Sequence, residues 1–509
     1  MALIKRYLKE KRNDILIFIL TIGIFAVFMA LYLLPFKAIV YPVLLSVFLY
    51  SGYIAVDFIS VKNKHDILKN IANSRDMNPE LLPARHSIES RDLYKIIAAL
   101  TEKYNDFKAL GLKLDMSRGK PSPEQLDLSM DMLNILNDGN YKSENGMDCR
   151  NYGMLDGIPE AKKLFAPMIG VNPDEIIVFG NSSLNIMFWT IQTAFTHGIL
   201  GETPWGKLDK VKFLCPVPGY DRHFAICEFF GIEMINIPMH QDGPDMDMIE
   251  ELVSKDDSIK GIWCVPQYSN PQGICYSDAV VKRFASLKPK AKDFRIFWDN
   301  AYCVHHLTDD TSRILNILEE AKAVGNDNIV YIYGSTSKIT FSGAGVAVLG
   351  SSRENIESLK ESLAISTISF DKLNQLRHAK YFGTYENILK HMEKHRKLLE
   401  PRFKAVTDTL EKELTPCGKI ASWITPKGGY FVSFNAMNGC AKKIVQLCKE
   451  AGVTLTNAGA TFPYGKDPDD KNIRIAPSYP SVEELEKAME LFVICVKLVS
   501  ADKLLSEME

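Results

Sequence analysis

Six short apolar runs, separated by helical patterns, constrain the fold of this chain more than any other feature. After its first residue, each run is entirely apolar. The runs cover residues 175–179, 212–215, 261–265, 295–298, 328–333 and 345–349. Strands buried on both faces give such continuous runs, whereas strands with one solvated face alternate. The pattern predicts an α/β fold with a mainly parallel sheet covered by helices, whose sites lie at the carboxyl ends of the strands.

The bulk composition excludes some partners. The 509 residues are 46% hydrophobic, which is enough for several buried cores. Lys and Arg number 60 against 62 Asp and Glu, so the chain has no overall positive field and nucleic acid is not an expected partner. The ten cysteines include no C-x-x-C pair, which fits a reducing compartment, and no metal site is predicted.

The amino terminus departs from this picture. Residues 15–34 and 38–56 contain no charged side chain, and each run is long enough to cross a bilayer. A cleaved signal peptide is the alternative, but the first run is too long for one and a second run follows at once. We therefore predict a two-span transmembrane hairpin that contacts the lipid bilayer through residues 15–56.

Basic residues flank both outer ends of this hairpin, at positions 5–12 and 62–69. The positive-inside rule then places both ends in the cytoplasm. The predicted localisation is a multi-pass protein of the cell membrane, with the large remainder of the chain, including any catalytic domain, in the cytoplasm.

A lysine at a strand end is the first candidate for chemistry. The run 328–333 leads into Lys338, which is flanked by Ser335 and Ser337. Such a lysine can condense with an aldehyde and then move a proton, although a solvated surface lysine is the alternative. The run 295–298 ends in Asp299 and Tyr302. A buried carboxylate can keep a pyridine nitrogen protonated, and a phenol can hydrogen-bond the 3-oxygen of such a ring.

Two more polar segments follow strands. Asn270 lies in the sequence Ser-Asn-Pro-Gln-Gly, for which an ordinary Asn-Pro turn is an equal alternative. Ser182 and Ser183 join a strand to an apolar helix, where hydroxyls and backbone N–H groups suit a phosphate. A simple helix cap by Ser182 is the other interpretation.

Together and in this order, these segments resemble the fold-type I, class I aminotransferases, which use pyridoxal 5′-phosphate. The resemblance runs from about residue 104 to near the carboxyl terminus. Residues 114–128, 151–159 and 180–184 are similar to a bacterial subgroup of aspartate aminotransferases. The amino-terminal hairpin resembles that of the small-membrane-sensor histidine kinases. The resemblance implies the PLP-transferase fold type I, with a mainly parallel, seven-stranded-type sheet in a large domain and an α+β small domain.

Five segments are predicted from the hairpin and this resemblance. They are a transmembrane hairpin (1–65), a helical connector (66–103), the amino-terminal part of the small domain (104–150), the cofactor-binding large domain (151–385) and the carboxyl-terminal part of the small domain (386–509).

The resemblance also implies roles for single residues. Lys338 is the Schiff-base lysine, Asp299 pairs with the pyridine nitrogen, and Tyr302 with Asn270 pairs with the ring 3-oxygen. Tyr220 stacks on the ring, with core packing as its alternative. Ser182, Ser183, Ser335 and Ser337 are the candidates for contact with the phosphate, and the resemblance leaves open which of them touch it. Tyr152 reaches the cofactor of a neighbouring subunit, which implies a homodimer. Arg474 and Asn270 bind the substrate, and Gly119 lets the substrate close against the amino-terminal segment.

One departure concerns the phosphate. Many relatives have an arginine several residues after the lysine, but Lys338 is followed by Ile-Thr-Phe-Ser-Gly-Ala-Gly. The arginine that binds a substrate side-chain carboxylate cannot be placed by motif either, and Arg118 is only a conjecture.

The expected reaction is transfer of the amino group of aspartate to 2-oxoglutarate, with amino acids and 2-oxo acids as substrates. A membrane-anchored ligand sensor built on this fold is one alternative. A pyridoxal-phosphate enzyme of other specificity, or one that catalyses β-elimination or decarboxylation, is another.

Overall fold

The computed structural model describes residues 90–507. The helices of this part of the chain are α1 (Ser90–Ala109), α2 (Pro123–Asp127), α3 (Pro159–Ile169), α4 (Ser183–His197), α5 (Asp221–Phe230), α6 (Met246–Lys255), α7 (Asp278–Ala285), α8 (Ile317–Ala323), α9 (Arg353–Ser366), α10 (Lys372–Phe382), α11 (Tyr385–Leu414), α12 (Ala441–Glu450) and α13 (Val482–Ser506). Short 3-10 helices cover Met130–Asn134, Trp205–Lys207, Asp327–Ile329, Thr415–Cys417 and Pro463–Gly465.

The strands form three sheets. They are β1 (Leu114–Asp115), β2 (Ile176–Val178), β3 (Lys212–Val217), β4 (Glu233–His240), β5 (Gly243–Pro244), β6 (Ile259–Cys264), β7 (Arg295–Asp299), β8 (Val330–Ser335), β9 (Ala347–Ser351), β10 (Ala421–Trp423), β11 (Val432–Ala436), β12 (Val453–Thr454) and β13 (Asn472–Ile475). The largest sheet has the order β2-β9-β8-β7-β6-β3-β4-β5. An antiparallel sheet, β10-β11-β13, and a parallel pair, β1-β12, complete the set.

The mainly parallel sheet predicted from the apolar runs is confirmed. The pairs β4·β3, β3·β6, β6·β7 and β7·β8 are parallel and form its centre. One predicted strand differs in direction, because β9 runs antiparallel to both of its neighbours, β8 and β2. Burial on both faces gives the same apolar run in either direction, so composition could not reveal this reversal. The eighth strand is β5, a two-residue edge strand that turns back on β4.

Alternate residues of the central strands pack into two separate hydrophobic clusters. In β7, Ile296 and Trp298 join the cluster formed with α3, α6, α7 and α8. Phe297 joins the opposite cluster, formed with α4, α5 and α9. Successive side chains of a strand point to opposite faces, so both faces of the sheet are covered. The same alternation decides which way the residues after β7 point.

The described chain divides into two compact units. One contains residues 98–415 and 420–503 and carries all three sheets. The described residues of the other are 90–97, 416–419 and 504–507. The domain boundaries expected from the sequence, after residues 65, 103, 150 and 385, stay predictions.

The predicted localisation as a multi-pass membrane protein is wrong for the part of the chain described. Between residues 90 and 507, no helix is both long enough and apolar enough to cross a bilayer. The two longest, α11 and α13, have charged residues along their length. The predicted hairpin at residues 15–56 lies outside the described residues.

A glycine supports the β1·β12 pair and gives a test of the fold. Gly452 has φ +91°, and a Cβ placed there would lie 1.9 Å from the Leu112 carbonyl oxygen. We expect Gly452→Ala to lower the free energy of unfolding by about 3 kcal/mol or more, because strain and a backbone clash add. Gly139→Ala is the control, since its φ is +75° but nothing lies within 4 Å. The control substitution should lower the free energy of unfolding by only about 1 kcal/mol. Urea unfolding measures the free energy of unfolding of both variants. Equal losses of stability would contradict the expected backbone clash at Gly452.

Candidate active site

Nine residues singled out from the sequence line one cavity at the carboxyl ends of β7 and β8. This inner cavity has a volume of about 200 Å³. The nine are Ser182, Ser183, Tyr220, Asn270, Asp299, Tyr302, Ser335, Ser337 and Lys338. An adjoining outer cavity of about 470 Å³ shares Tyr220, Asn270, Tyr302 and Lys338 and adds Gly119 and Arg474. The structure therefore brings together every predicted site residue except Tyr152.

Lys338 follows β8 and lies between aromatic rings. Its Nζ is 5.0 Å from the ring centre of Tyr302 and 5.8 Å from that of Tyr430. Burial lowers the pKa of Lys338, and the nearby Asp299 carboxylate opposes that shift. A lowered pKa increases the fraction of neutral amine, which is the nucleophilic form.

Asp299, the last residue of β7, is buried and held from one side by a histidine. His223 Nε2 lies 3.0 Å from Asp299 Oδ2, and the imidazole stacks on Trp263 with ring centres 4.3 Å apart. Asp299 Oδ1 is also buried but has no hydrogen-bond partner in the structure. An unpartnered buried carboxylate oxygen is costly, so this oxygen marks the place of a missing donor.

The sequence analysis missed His223. It lies in the first turn of α5, three residues after Tyr220, and is 1% exposed. The signal available in the sequence was a histidine three residues after the predicted site residue Tyr220. It had no meaning until the fold placed α5 against β7.

Two tyrosines border the same cavity. Burial, reinforced by Tyr220 and Asp299, raises the pKa of Tyr302 well above its usual value. Burial and the carboxylates of Asp299 and Asp221 raise the pKa of Tyr220 to about 12. Both phenols therefore stay protonated and can donate hydrogen bonds at neutral pH.

The serines gather around the beginning of α4. The Ser182 hydroxyl accepts a hydrogen bond from the Asn185 N–H at 3.4 Å, so it caps the helix and also lines the cavity. Ser335 donates to Ser337 at 3.2 Å, and Ser337 donates to the Asn181 carbonyl at 3.1 Å. Hydroxyls beside a helix amino terminus suit an anion. Arginine is absent from the residues that line the inner cavity, as the sequence after Lys338 led us to expect.

Arg474, on β13, is held on several sides in the outer cavity. Its Nη1 donates to Asp221 Oδ1 at 2.9 Å and to Asn270 Oδ1 at 3.3 Å. Its Nε donates to the Thr456 hydroxyl at 3.3 Å, and the guanidinium lies 4.9 Å from the Phe431 ring centre. A guanidinium fixed in this way can offer a planar fork to a carboxylate.

Three further predicted residues have different surroundings. A Cβ on Gly119 would lie 2.7 Å from the Phe431 ring, so glycine allows a close approach there. Arg118 lines the outer cavity together with Arg222, which the sequence analysis did not single out. Tyr152 is 74% exposed and lines neither cavity.

Comparison with known proteins agrees with this geometry. Residues 88–508 match the family model described as aspartate amino-transferase. The chain belongs to the aspartate aminotransferase family. An aspartate aminotransferase of Corynebacterium glutamicum is 45% identical over 404 residues, 79% of this chain and 93% of the relative. A putative aminotransferase of Mycolicibacterium smegmatis is 46% identical over 429 residues, 84% of this chain and 97% of the relative.

Solved structures agree as well. The crystal structure of an aspartate transaminase from C. glutamicum has a TM-score of 0.80 at 43% identity and covers 82% of this chain and 98% of its own. A putative aminotransferase from Corynebacterium diphtheriae has a TM-score of 0.76 at 47% identity, with 78% and 98% covered. The predicted aminotransferase enzyme of fold type I is confirmed.

The cofactor predicted from the sequence, pyridoxal phosphate, is confirmed by the family, and the residues present fit it. The orphaned Asp299 Oδ1 suits a protonated ring nitrogen, and the hydroxyls at the start of α4 suit the phosphate. Lys338 supplies the amine that an aldehyde requires.

His223 gives a test of how the structure supports Asp299. We expect His223→Ala to weaken pyridoxal phosphate binding about tenfold, because a hydrogen bond to a buried carboxylate is lost. His223→Gln, which keeps an N–H donor, should recover part of the affinity. Titration of the apoprotein by fluorescence measures the dissociation constant.

The matched control is His240→Ala. This histidine lies 3.7 Å from Asp245 but is exposed and outside both cavities. It should leave cofactor affinity unchanged. Equal affinities in His223→Ala and the wild type would contradict the supporting role of His223.

Proposed function

We propose that this enzyme transfers the amino group of aspartate to 2-oxoglutarate with Lys338 as the central catalytic residue. The observation that carries the proposal is the arrangement of the two cavities. Lys338, Tyr220, Tyr302 and Asn270 lie where the inner and outer cavities meet, with Asp299 on the inner side and Arg474 on the outer side. A cofactor and an amino acid placed in the two cavities would meet at Lys338.

Bound pyridoxal phosphate supplies an electron-withdrawing ring that stabilises negative charge at the α carbon of the amino acid. Asp299 Oδ1 would accept a hydrogen bond from the protonated ring nitrogen and so keep that nitrogen charged, while His223 holds the other carboxylate oxygen. The protonated phenol of Tyr302 and the amide of Asn270 would donate hydrogen bonds to the ring 3-oxygen, and Tyr220 would stack on the ring. Ser182, Ser183, Ser335 and Ser337, with the N–H groups at the start of α4, would hold the phosphate.

Lys338 Nζ moves the proton. Its lowered pKa leaves more of the amine neutral, so it can take the proton from the substrate α carbon and would deliver it to the carbon that was the aldehyde carbon of the cofactor. Arg474 and Asn270 hold the substrate α-carboxylate, which fixes the α carbon beside Lys338. Gly119 gives the substrate room near Phe431.

The specificity for aspartate is supported by charge and by the relatives named above. Besides Arg474 and Lys338, the outer cavity is lined by Arg118, Lys120 and Arg222, whereas Asp221 is the acidic residue of the lining. An excess of cations favours a substrate with two carboxylates. We assign the second carboxylate to Arg118 or Arg222.

We also infer a homodimer. The exposed Tyr152 is free of both cavities of its own chain, which suits contact with the cofactor of a neighbouring subunit. Exposed Phe229, on α5, lines a small pocket together with Phe188 and Ser182, and Ser182 also lines the inner cavity.

The reaction itself is tested by turnover. The full-length protein loaded with pyridoxal phosphate should convert aspartate and 2-oxoglutarate into oxaloacetate and glutamate, and its visible absorbance band should fall when aspartate is added. Lys338→Ala should reduce turnover by about a thousandfold or more, because the proton-transfer group is lost. Release of ammonia or carbon dioxide instead of oxaloacetate would indicate another reaction. No turnover in the wild type would favour a ligand sensor.

The charge of the outer cavity is tested by comparing two amino donors. If Arg118 or Arg222 binds the second carboxylate, its change to Ala should lower kcat/KM for aspartate about tenfold and leave that for alanine within about twofold. Arg353→Ala removes an exposed arginine outside both cavities and is the matched control. Equal losses for aspartate and alanine in both variants would contradict the assignment.

A further inference from the structure

A second cavity of about 470 Å³ lies behind the catalytic strand end. This rear cavity is bordered by the end of α3, residues 298–317 and the first turns of α11. Its lining shares no residue with the inner or outer cavity. The volume lies within the range usual for small-molecule sites.

The segment 299–306 forms a wall between the rear cavity and the active site. Asp299 and Tyr302 line the inner cavity, whereas Asn300, Cys303 and His306 line the rear cavity. Alternation along β7 explains why Asp299 and Asn300 line different cavities. Asp299 lies on the side of Phe297, and Asn300 lies on the side of Trp298. A molecule bound in the rear cavity would contact Asn300 and Cys303, which follow Asp299 and Tyr302 directly in the chain.

Two polar groups of the rear cavity lack partners. Asn300 is 8% exposed, and its buried Oδ1 accepts no hydrogen bond in the structure. Such an oxygen requires a donor. Arg313 makes no ion pair or hydrogen bond with any described residue. Burial lowers the pKa of His306, and the nearby positive charge of Arg313 lowers it further. Arg313 is an exposed cation of this lining and can bind an anion at the mouth of the cavity.

The remaining wall is mainly apolar, with one carboxylate. Met168, Ile169, Ile314 and Leu315 line one part. On α11, Leu389, Met392 and Glu393 share a face because they are three and four residues apart. Glu393 is the acidic residue of this wall, and its carboxylate pairs with Arg396 at 3.4 Å.

We propose that the rear cavity binds a free α-amino acid with an apolar side chain. Arg313 binds the carboxylate, Asn300 Oδ1 accepts from the ammonium group near Glu393, and the side chain packs on Met168, Leu389 and Met392. The cavity therefore complements the carboxylate, the ammonium group and the apolar side chain of such an amino acid. The proposal rests on this cavity alone and does not depend on the reaction at Lys338.

Calorimetry with L-leucine on the full-length protein loaded with pyridoxal phosphate tests the proposal. We expect saturable binding of one leucine per chain at the rear cavity. Two analogues test the recognition, since L-leucinamide lacks the carboxylate and 4-methylpentanoate lacks the ammonium group. Each should bind about tenfold more weakly or worse, because one charge-assisted contact is lost. If both bind as leucine does, the proposal is wrong.

Variants separate the rear cavity from the active site. Arg474→Ala, which removes the carboxylate fork of the outer cavity, should retain leucine binding, whereas Arg313→Ala should weaken it about tenfold or more. Arg353→Ala is the arginine control and should bind normally. Loss of leucine binding in Arg474→Ala but not in Arg313→Ala would place leucine at the active site and overturn the proposal.

A cavity-filling variant gives an independent measurement. Leu389 is 36% exposed at the rim, so Leu389→Trp should fill the cavity without unfolding the protein and should abolish leucine binding. Ile365→Trp changes a 90% exposed apolar residue and is the matched control. Unchanged binding in Leu389→Trp, or no leucine binding by the wild type at millimolar concentration, would overturn the proposal.

Discussion

The buried carboxylate of Asp299 is the constraint on which the rest of the site depends. Placing a charged carboxylate at the end of an apolar strand costs several kcal/mol unless it is partnered. His223 partners one oxygen and is itself stacked on Trp263 from the neighbouring strand, β6. The other oxygen faces the inner cavity without a donor. This buried oxygen would be partnered by a protonated ring nitrogen of the cofactor.

The parallel centre of the sheet makes this arrangement possible. Asp299 and Tyr333 are direct partners in the β7·β8 register, so the chain after β8 reaches Lys338 beside the carboxylate. The crossover helices α4 and α5 start at the same edge, which adds a helix amino terminus, Tyr220 and His223. Because parallel strands all end at one edge, residues far apart in sequence converge there.

The sequence predicted the parts of this site that depend on strand ends. Lys338, Asp299, Tyr302 and Asn270 follow apolar runs, so their convergence required only a parallel sheet. His223 and Arg222 could not be found this way, because their positions depend on how α5 packs against β7. The reversed direction of β9 also left no trace, since an apolar run reads the same in both directions. The predicted membrane localisation was inferred only from the two charge-free runs within residues 15–56, and no helix between residues 90 and 507 is both long enough and apolar enough to cross a bilayer.

At Arg474, a substrate carboxylate competes with the carboxylate of Asp221 for the guanidinium. Asp221 already accepts from Nη1, so a substrate carboxylate must share the guanidinium with a like charge. Two carboxylates on one arginine repel each other, which lowers the net attraction of this arginine for a substrate. The lowered pKa of Lys338 reduces its positive charge as well. The excess of positive charge in the outer cavity therefore comes from Arg118, Lys120 and Arg222. These residues lie beside Gly119 and Tyr220, so the segments that shape the cavity also determine its charge.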